Sequence, residues 1–168
     1  MRRPRLRHQS NLTESGFAMA LSIHEAQLDA IPCYASQAIA CGAAELSAQS
    51  RHVATVVTIT GVVDATNVDR LLERSGRLVF PETGFVLDLG GVTTFAPEAA
   101  RLVSQLDAAC RAAGINWALV AGSAVGDRLG AGDALYPFAA SVPEALHRFA
   151  DGIYTRRRLL LPFLTKSA

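Results

Sequence analysis

Apolar and polar positions along this chain fall into runs with two periods, and together they predict alternating strands and helices. The densest signal lies between Phe85 and Ala113. Phe85-Val86-Leu87-Asp88-Leu89 is a short apolar run closed by Gly90-Gly91, the pattern of a buried strand. Beyond Val92-Thr93-Thr94-Phe95-Ala96, the pair Pro97-Glu98 opens a helix. Its apolar positions Ala99, Leu102, Val103, Leu106, Cys110 and Ala113 recur every three or four residues, and Gly114 is its stop. A strand that feeds straight into a helix presents free N–H groups at the junction. In α/β proteins that edge is where ligands and partners are met.

The flanking segments follow the same alternation. Ala38–Cys41 and Ala44–Ser47 form a first strand, broken or turned near Gly42, and Val53–Thr60 is the strongest strand because of its β-branched residues. Gln49-Ser50-Arg51 is the hairpin turn between them, and Gly61 ends the second strand. Asp64–Ser75 reads as a helix with Thr66 and Asp69 as a capping pair. Val68, Leu71 and Leu72 face inward; Asp69, Arg70, Glu73 and Arg74 make a solvated outer face. Pro81–Gly84 turns the chain into the central strand. Ile115–Val120 is a further buried strand, with Trp117 packed at the sheet edge, and Ala124–Leu129 is a short helix capped by Ser123. Leu135–Phe138 reads as a short edge strand, because Pro137 cannot sit in a central one. Ser141 and Glu144 form a capping box for the last helix, whose inward positions are Leu146, Phe149 and Ile153.

The ends carry weaker patterns. Residues 1–36 lack a sustained period and read as a largely disordered arm, with a short helix near Ala20–Ala30. At the other end, Arg156-Arg157-Arg158 abuts Leu159-Leu160-Leu161-Pro162-Phe163-Leu164. This tail fits a helical extension folded back on the domain, a partner or homodimer surface, or an interfacial membrane contact. The expected divisions are therefore 1–36, 37–153 and 154–168.

Composition narrows the class. The chain has 168 residues, half of them hydrophobic, which suits one domain with tails and a real core. A formal net charge of +1 gives no broad attraction to nucleic acid or membrane. No apolar run approaches the ~18 residues of a membrane span. Arg2, Arg3, Arg5 and Arg7 precede the apolar run Phe17–Ile23, but His24-Glu25 ends it and no cleavage pattern follows, so export is not expected. Met19 stands as an alternative start. Cys33, Cys41 and Cys110 are odd in number and lack metal-like spacing, which fits a reducing, cytoplasmic setting.

Catalytic signatures are missing from the sequence. Gly122-Ser123-Ala124-Val125-Gly126 lacks the lysine of a P-loop, and Gly130-Ala131-Gly132 opens no strong helix. His8, His24, His52 and His147 are scattered. No serine lies in a nucleophile elbow. Neither enzyme activity, nor a cofactor, nor a metal is expected.

Four motifs in order resemble one family. Asp88-Leu89-Gly90-Gly91-Val92-Thr93-Thr94-Phe95 resembles the signature of STAS domains, the fold of bacterial anti-sigma factor antagonists. Gly61-Val62-Val63-Asp64, Ile115-Asn116-Trp117-Ala118-Leu119-Val120 and Ser141-Val142-Pro143-Glu144-Ala145-Leu146 resemble further family segments, so that the likeness spans roughly Ile39 to Phe149. It implies a mixed sheet of about five strands packed with about four helices. It also implies a regulator that binds a kinase-like anti-sigma factor through Thr93, Thr94, Phe95, Ala96, Pro97, Glu98 and Arg101. The family signature continues Asp-Ser-Ser-Gly, and one of those serines is phosphorylated; here the continuation is Ala96-Pro97-Glu98-Ala99, with Glu98 at the switch position. Asp64 and Asp88 correspond to family positions supporting that loop, and equally read as turn and strand-end residues that bond nearby N–H groups. The alternative is a STAS module outside sigma-factor control, used for scaffolding or small-ligand sensing.

Overall fold

β-branched and apolar residues dominate the strands at the centre of the structure. A computed structural model describes residues 38–130 and 135–164, with side chains described as far as Arg156. Its six strands are β1 (Ile39–Cys41), β2 (Ala44–Ser50), β3 (Ala54–Val63), β4 (Gly84–Phe95), β5 (Trp117–Ala121) and β6 (Phe138–Ala139). Four helices, α1 (Val68–Gly76), α2 (Ala100–Ala113), α3 (Ser123–Leu129) and α4 (Val142–Leu164), and a 3₁₀ turn at Pro97–Ala99 complete it. The strands lie in the order β1-β2-β3-β4-β5-β6. β1, β2 and β3 are antiparallel, and β3 through β6 are parallel.

Alternation along each strand sends side chains to two cores. Val57, Ile59, Leu87, Leu89 and Leu119 face one side and pack with Leu71 of α1, Leu102, Val103 and Leu106 of α2 and Val125 of α3. Val56, Val86, Ala118 and Val120 face the other side and meet Ala145 and Phe149 of α4. The domain is thus one sheet between two helical layers, which is why its central strands read as unbroken apolar runs.

Several sequence expectations change in detail. The sheet has six strands rather than about five, because Gly42 at φ +66° turns the first strand into the β1–β2 hairpin. The expected turn residues Gln49 and Ser50 belong to β2, paired with Val56 and Thr55. Neither Gly61 nor Gly90-Gly91 ends a strand. β3 and β4 run on to Val63 and Phe95 with register shifts at Thr58/Thr60 and Gly61/Val62, so these glycines sit at irregular pairings rather than at strand ends. α1 starts at Val68, four residues after Asp64, and its cap position Asn67 makes no capping bond. Thr66 is occupied elsewhere: its hydroxyl donates to Asp64 Oδ1 at 2.6 Å. β6 is only Phe138–Ala139, starting just after Pro137.

Trp117 lies one strand in from the edge. It is buried, and its Nε1 donates to Asp107 Oδ1 at 3.0 Å. The α4 start is capped as expected by Ser141, whose Oγ accepts from Glu144 N at 3.3 Å. Glu144 instead reaches back one residue further and accepts from Ala140 N at 2.8 Å. That bond, and then Arg148, hold its carboxyl below the usual range. The inward face of α4 is Ala145 and Phe149; Leu146 is half-buried and Ile153 is exposed. Ala113 of α2 is also exposed. Helix α4 continues to Leu164, while the side chains of 157–164 lie outside the described residues. So do the N-terminal arm with its expected helix and Met19, Cys33, His8, His24 and Gly132.

Cys110 illustrates how packing changes chemistry. Burial in the α2 face of the core, and then the Asp107 charge, push its thiol up to about 12. A thiol that ionises less readily folded than unfolded supports the fold below the unfolded value and loses that support as pH rises. Stability should therefore decline between about pH 9 and pH 12. A Cys110→Ala variant, weaker overall, should show a shallower decline in denaturant titrations across that range. Equal slopes in the two proteins would place the alkaline sensitivity elsewhere.

Candidate functional site

The ends of β3 and β4 lie side by side and lead into α1 and α2. Val63 pairs with Phe95, and Ala96 N donates to Val63 O at 2.9 Å, so the last paired residues lock the junction onto the neighbouring strand. Phe95 and Ala99 are buried and act as two anchors; Thr93, Thr94, Pro97 and Glu98 are exposed between and around them. The alternation of β4 sends Phe95 inward, and proline starts the following turn because its fixed φ suits a first helical position. Ala96 supplies no side-chain cap, and Glu98 is the acidic residue of the first turn. Pro97 has no N–H, and the N–H groups of Ala96 and Ala99 are bonded to Val63 O and Ala96 O, so what the junction presents is one carboxylate in the first turn, a charge that the helix terminus favours.

Arg101, one turn on, ties the junction to α1. Its Nη2 lies 2.9 Å from Asp69 Oδ1. Its Nε is buried without a hydrogen-bond partner among the described residues. Both side chains remain substantially exposed, so the pair fixes orientation more than it adds stability. Thr93 Oγ1 donates to Gly61 O at 3.1 Å, linking the hydroxyl before the junction to the irregular stretch of β3.

Beneath the junction is a compact polar clasp. Asp64 Oδ1 accepts from Thr66 N at 2.8 Å and from the Thr66 hydroxyl. The hydroxyl first, and the N–H second, hold the Asp64 carboxyl below its usual range. Asn67, only 3% exposed, accepts from Asp64 N at 3.1 Å through Oδ1 and donates through Nδ2 to Val62 O at 2.8 Å. Asn67 thereby holds both sides of the chain as it leaves β3, directly next to the Val63–Ala96 bond.

Of the residues expected at a site, Thr93 through Glu98 and Arg101 do form one continuous stretch, and Asp64 borders it. Asp88 does not. It lies five residues before Thr93 on β4, roughly 17 Å of extended strand away, where Oδ1 accepts from Gly90 N at 2.9 Å. It secures the β4 irregularity next to α3, where Gly122 approaches so closely that a Cβ would fall 2.8 Å from Gly90 O. Sequence reasoning missed Asn67 and took Asp69 as solvated surface. The signal for Asn67 was its place three residues after Asp64, ahead of an apolar run; its burial was not readable. Among the described residues, no three His, Cys, Asp or Glu side chains gather as a metal site. No described helix is long and apolar enough to cross a membrane.

Comparison with known proteins gives three findings. The STAS domain family matches residues 45–129. Osmosensory protein A of Mycobacterium tuberculosis (strain ATCC 25618 / H37Rv) is 42% identical over 137 residues, covering 78% of this chain and 87% of that protein. A crystal structure of an anti-sigma factor antagonist from Mycobacterium paratuberculosis superposes with a TM-score of 0.53 at 17% identity, over 64% of this chain and 94% of that one.

Proposed function

Because this chain belongs to the STAS domain family, we propose that it is an anti-anti-sigma-like regulator whose β4–α2 junction binds a kinase-like anti-sigma factor in the cytoplasm. The observation that carries the reading is the exposed Thr93–Glu98 stretch, pinned by buried Phe95 and Ala99 and bordered by the Arg101–Asp69 pair. It faces solvent through Thr93, Thr94, Pro97 and Glu98 while Phe95 anchors it in the core, which suits protein recognition. The name of the mycobacterial relative supports placing this regulation in the response to osmotic change.

Glu98 defines the mode of control. A phosphoserine at a helix start adds about −1.5 to −2 charges, and removing it resets the complex. Glu98 carries a smaller charge that cannot be removed. A regulator held permanently in the released state would have nothing to regulate, so the partner is one that accepts this anion. With the anti-sigma factor captured on the full chain and purified, Glu98→Ser should weaken binding about tenfold and Glu98→Lys further, through lost charge complementarity. Folding stability should change by less than about 1 kcal/mol in both. Tighter binding by Glu98→Ser would mean that the carboxylate holds the domain released. Unchanged binding in both variants would move the interface away from this junction. The second reading, a scaffolding or ligand-sensing module, is favoured if the captured protein is not an anti-sigma factor.

A further inference from the structure

The parallel strands have a second end, opposite the β4–α2 junction, and it holds a cleft. Val53 before β3, Gly84 at the start of β4 and Asn116 before β5 form its floor. Phe149, Ile153 and Arg156 of α4 line it together with Glu82 and Thr83 of the turn before β4. Its volume is about 110 Å³. That admits a molecule of several non-hydrogen atoms but not one of drug size, whose sites run to roughly 300–1,000 Å³.

The lining has an unusual charge pattern. Glu82 and Arg156 both face the cleft, yet no ion pair joins them, and neither is hydrogen-bonded to another described side chain. The side chains of Thr83 and Asn116 are likewise without a hydrogen-bond partner among the described residues, while the Asn116 carbonyl accepts from Phe85 N at 3.0 Å. Glu82 adopts φ +68°, the only left-handed non-glycine residue among those described. That conformation is disfavoured for an L-residue and sets the direction in which the turn presents its side chain. The lining also includes the apolar side chains of Val53, Phe149 and Ile153. Gly84 keeps the floor open to Phe149, since a Cβ there would lie 2.8 Å from the ring.

We propose that this cleft binds a small free zwitterion of amino-acid size, with its carboxylate on Arg156, its cationic nitrogen on Glu82 and its apolar body against Phe149. Arginine presents a planar fork that matches a carboxylate in two bonds. The Glu82 carboxylate in the same lining complements an ammonium group, and the ring face adds a further attraction for a cation. A ligand with one charge would satisfy only one of the two side chains and leave the other uncompensated.

L-alanine is a suitable probe, with acetate and methylammonium as its two halves. In amide NMR titrations of the full chain, L-alanine should shift Gly84 and Asn116 saturably, with a dissociation constant of about 1 mM. Acetate and methylammonium, at matched ionic strength, should each bind at least about tenfold more weakly. Glu82→Gln and Arg156→Gln, both at exposed positions, should fold normally and each lower affinity for L-alanine about tenfold. Acetate binding as well as L-alanine would overturn the proposal in favour of a simple anion site. No saturation by about 100 mM, or wild-type affinity in either variant, would also overturn it.

Discussion

Asn67→Ala should lower domain stability by about 2–4 kcal/mol, a large share of what a domain of this size possesses. The side chain accepts from Asp64 N and donates to Val62 O in a site that is 3% exposed. Truncation removes both bonds and leaves a half-buried donor and a half-buried acceptor, each costing up to about 1–3 kcal/mol when unmet. Water entering the space offsets part of that cost, which sets the lower end of the range. Asn67→Asp keeps an acceptor for Asp64 N but faces Val62 O with a carboxylate, so it should also destabilise, and less so as pH falls through the range where that carboxylate protonates. Urea unfolding midpoints at two pH values would check both. A loss below about 0.5 kcal/mol for Asn67→Ala would mean that the clasp is not holding the β3–α1 connection. Because Ala96 N bonds to Val63 O next to this clasp, the amide signals of Thr93 to Glu98 should shift as well.

Gly61→Ala should cost about 2–4 kcal/mol by a different route, through backbone strain and overlap. Gly61 sits at φ +88°, and a Cβ there would lie 2.5 Å from Ala43 O, an atom of the backbone that cannot rotate away. That same oxygen accepts from Val62 N at 3.0 Å, so relieving the overlap breaks a hydrogen bond. Gly114→Ala is the internal control. It has φ +65° but nothing within 4 Å of its Cβ position, so it should cost only the left-handed conformation, about 1–2 kcal/mol. Similar losses at both glycines would show that conformation alone, not the approach of Ala43, governs Gly61. Since Gly61 O receives the Thr93 hydroxyl, Gly61→Ala should also perturb the candidate interface, whereas Gly114→Ala should leave it intact.

Much of the strand-to-helix junction was legible because its signals are local. Pro97 after Phe95 and Ala96 marks a strand-to-helix passage, and the helix face from Ala99 to Cys110 follows the period of the helix itself. The strands at 54–63 and 84–95 announced themselves through composition, since residues covered on both faces must be apolar. The glycines at 61, 90 and 91 misled for an equally local reason. Glycine stops a strand far more often than it sits within one, and only pairing with a neighbour reveals the irregular registers that these positions occupy.

The sequence by itself determined the class of fold and the order of strands and helices. These follow from periodicity, turn chemistry and residue identity, each read within a few neighbouring positions. Only the tertiary structure decided that Asp64 borders the junction while Asp88 bonds Gly90 N within β4, that Asn67 is the buried clasp, and that Asp69 reaches Arg101. It alone brought Glu82 and Arg156, far apart in sequence, to the lining of one cleft. The physical reason is that burial and charge partnership are properties of packed surfaces. They arise when segments distant in the chain close on one another, and no period along the chain encodes which polar side chain that closure will trap.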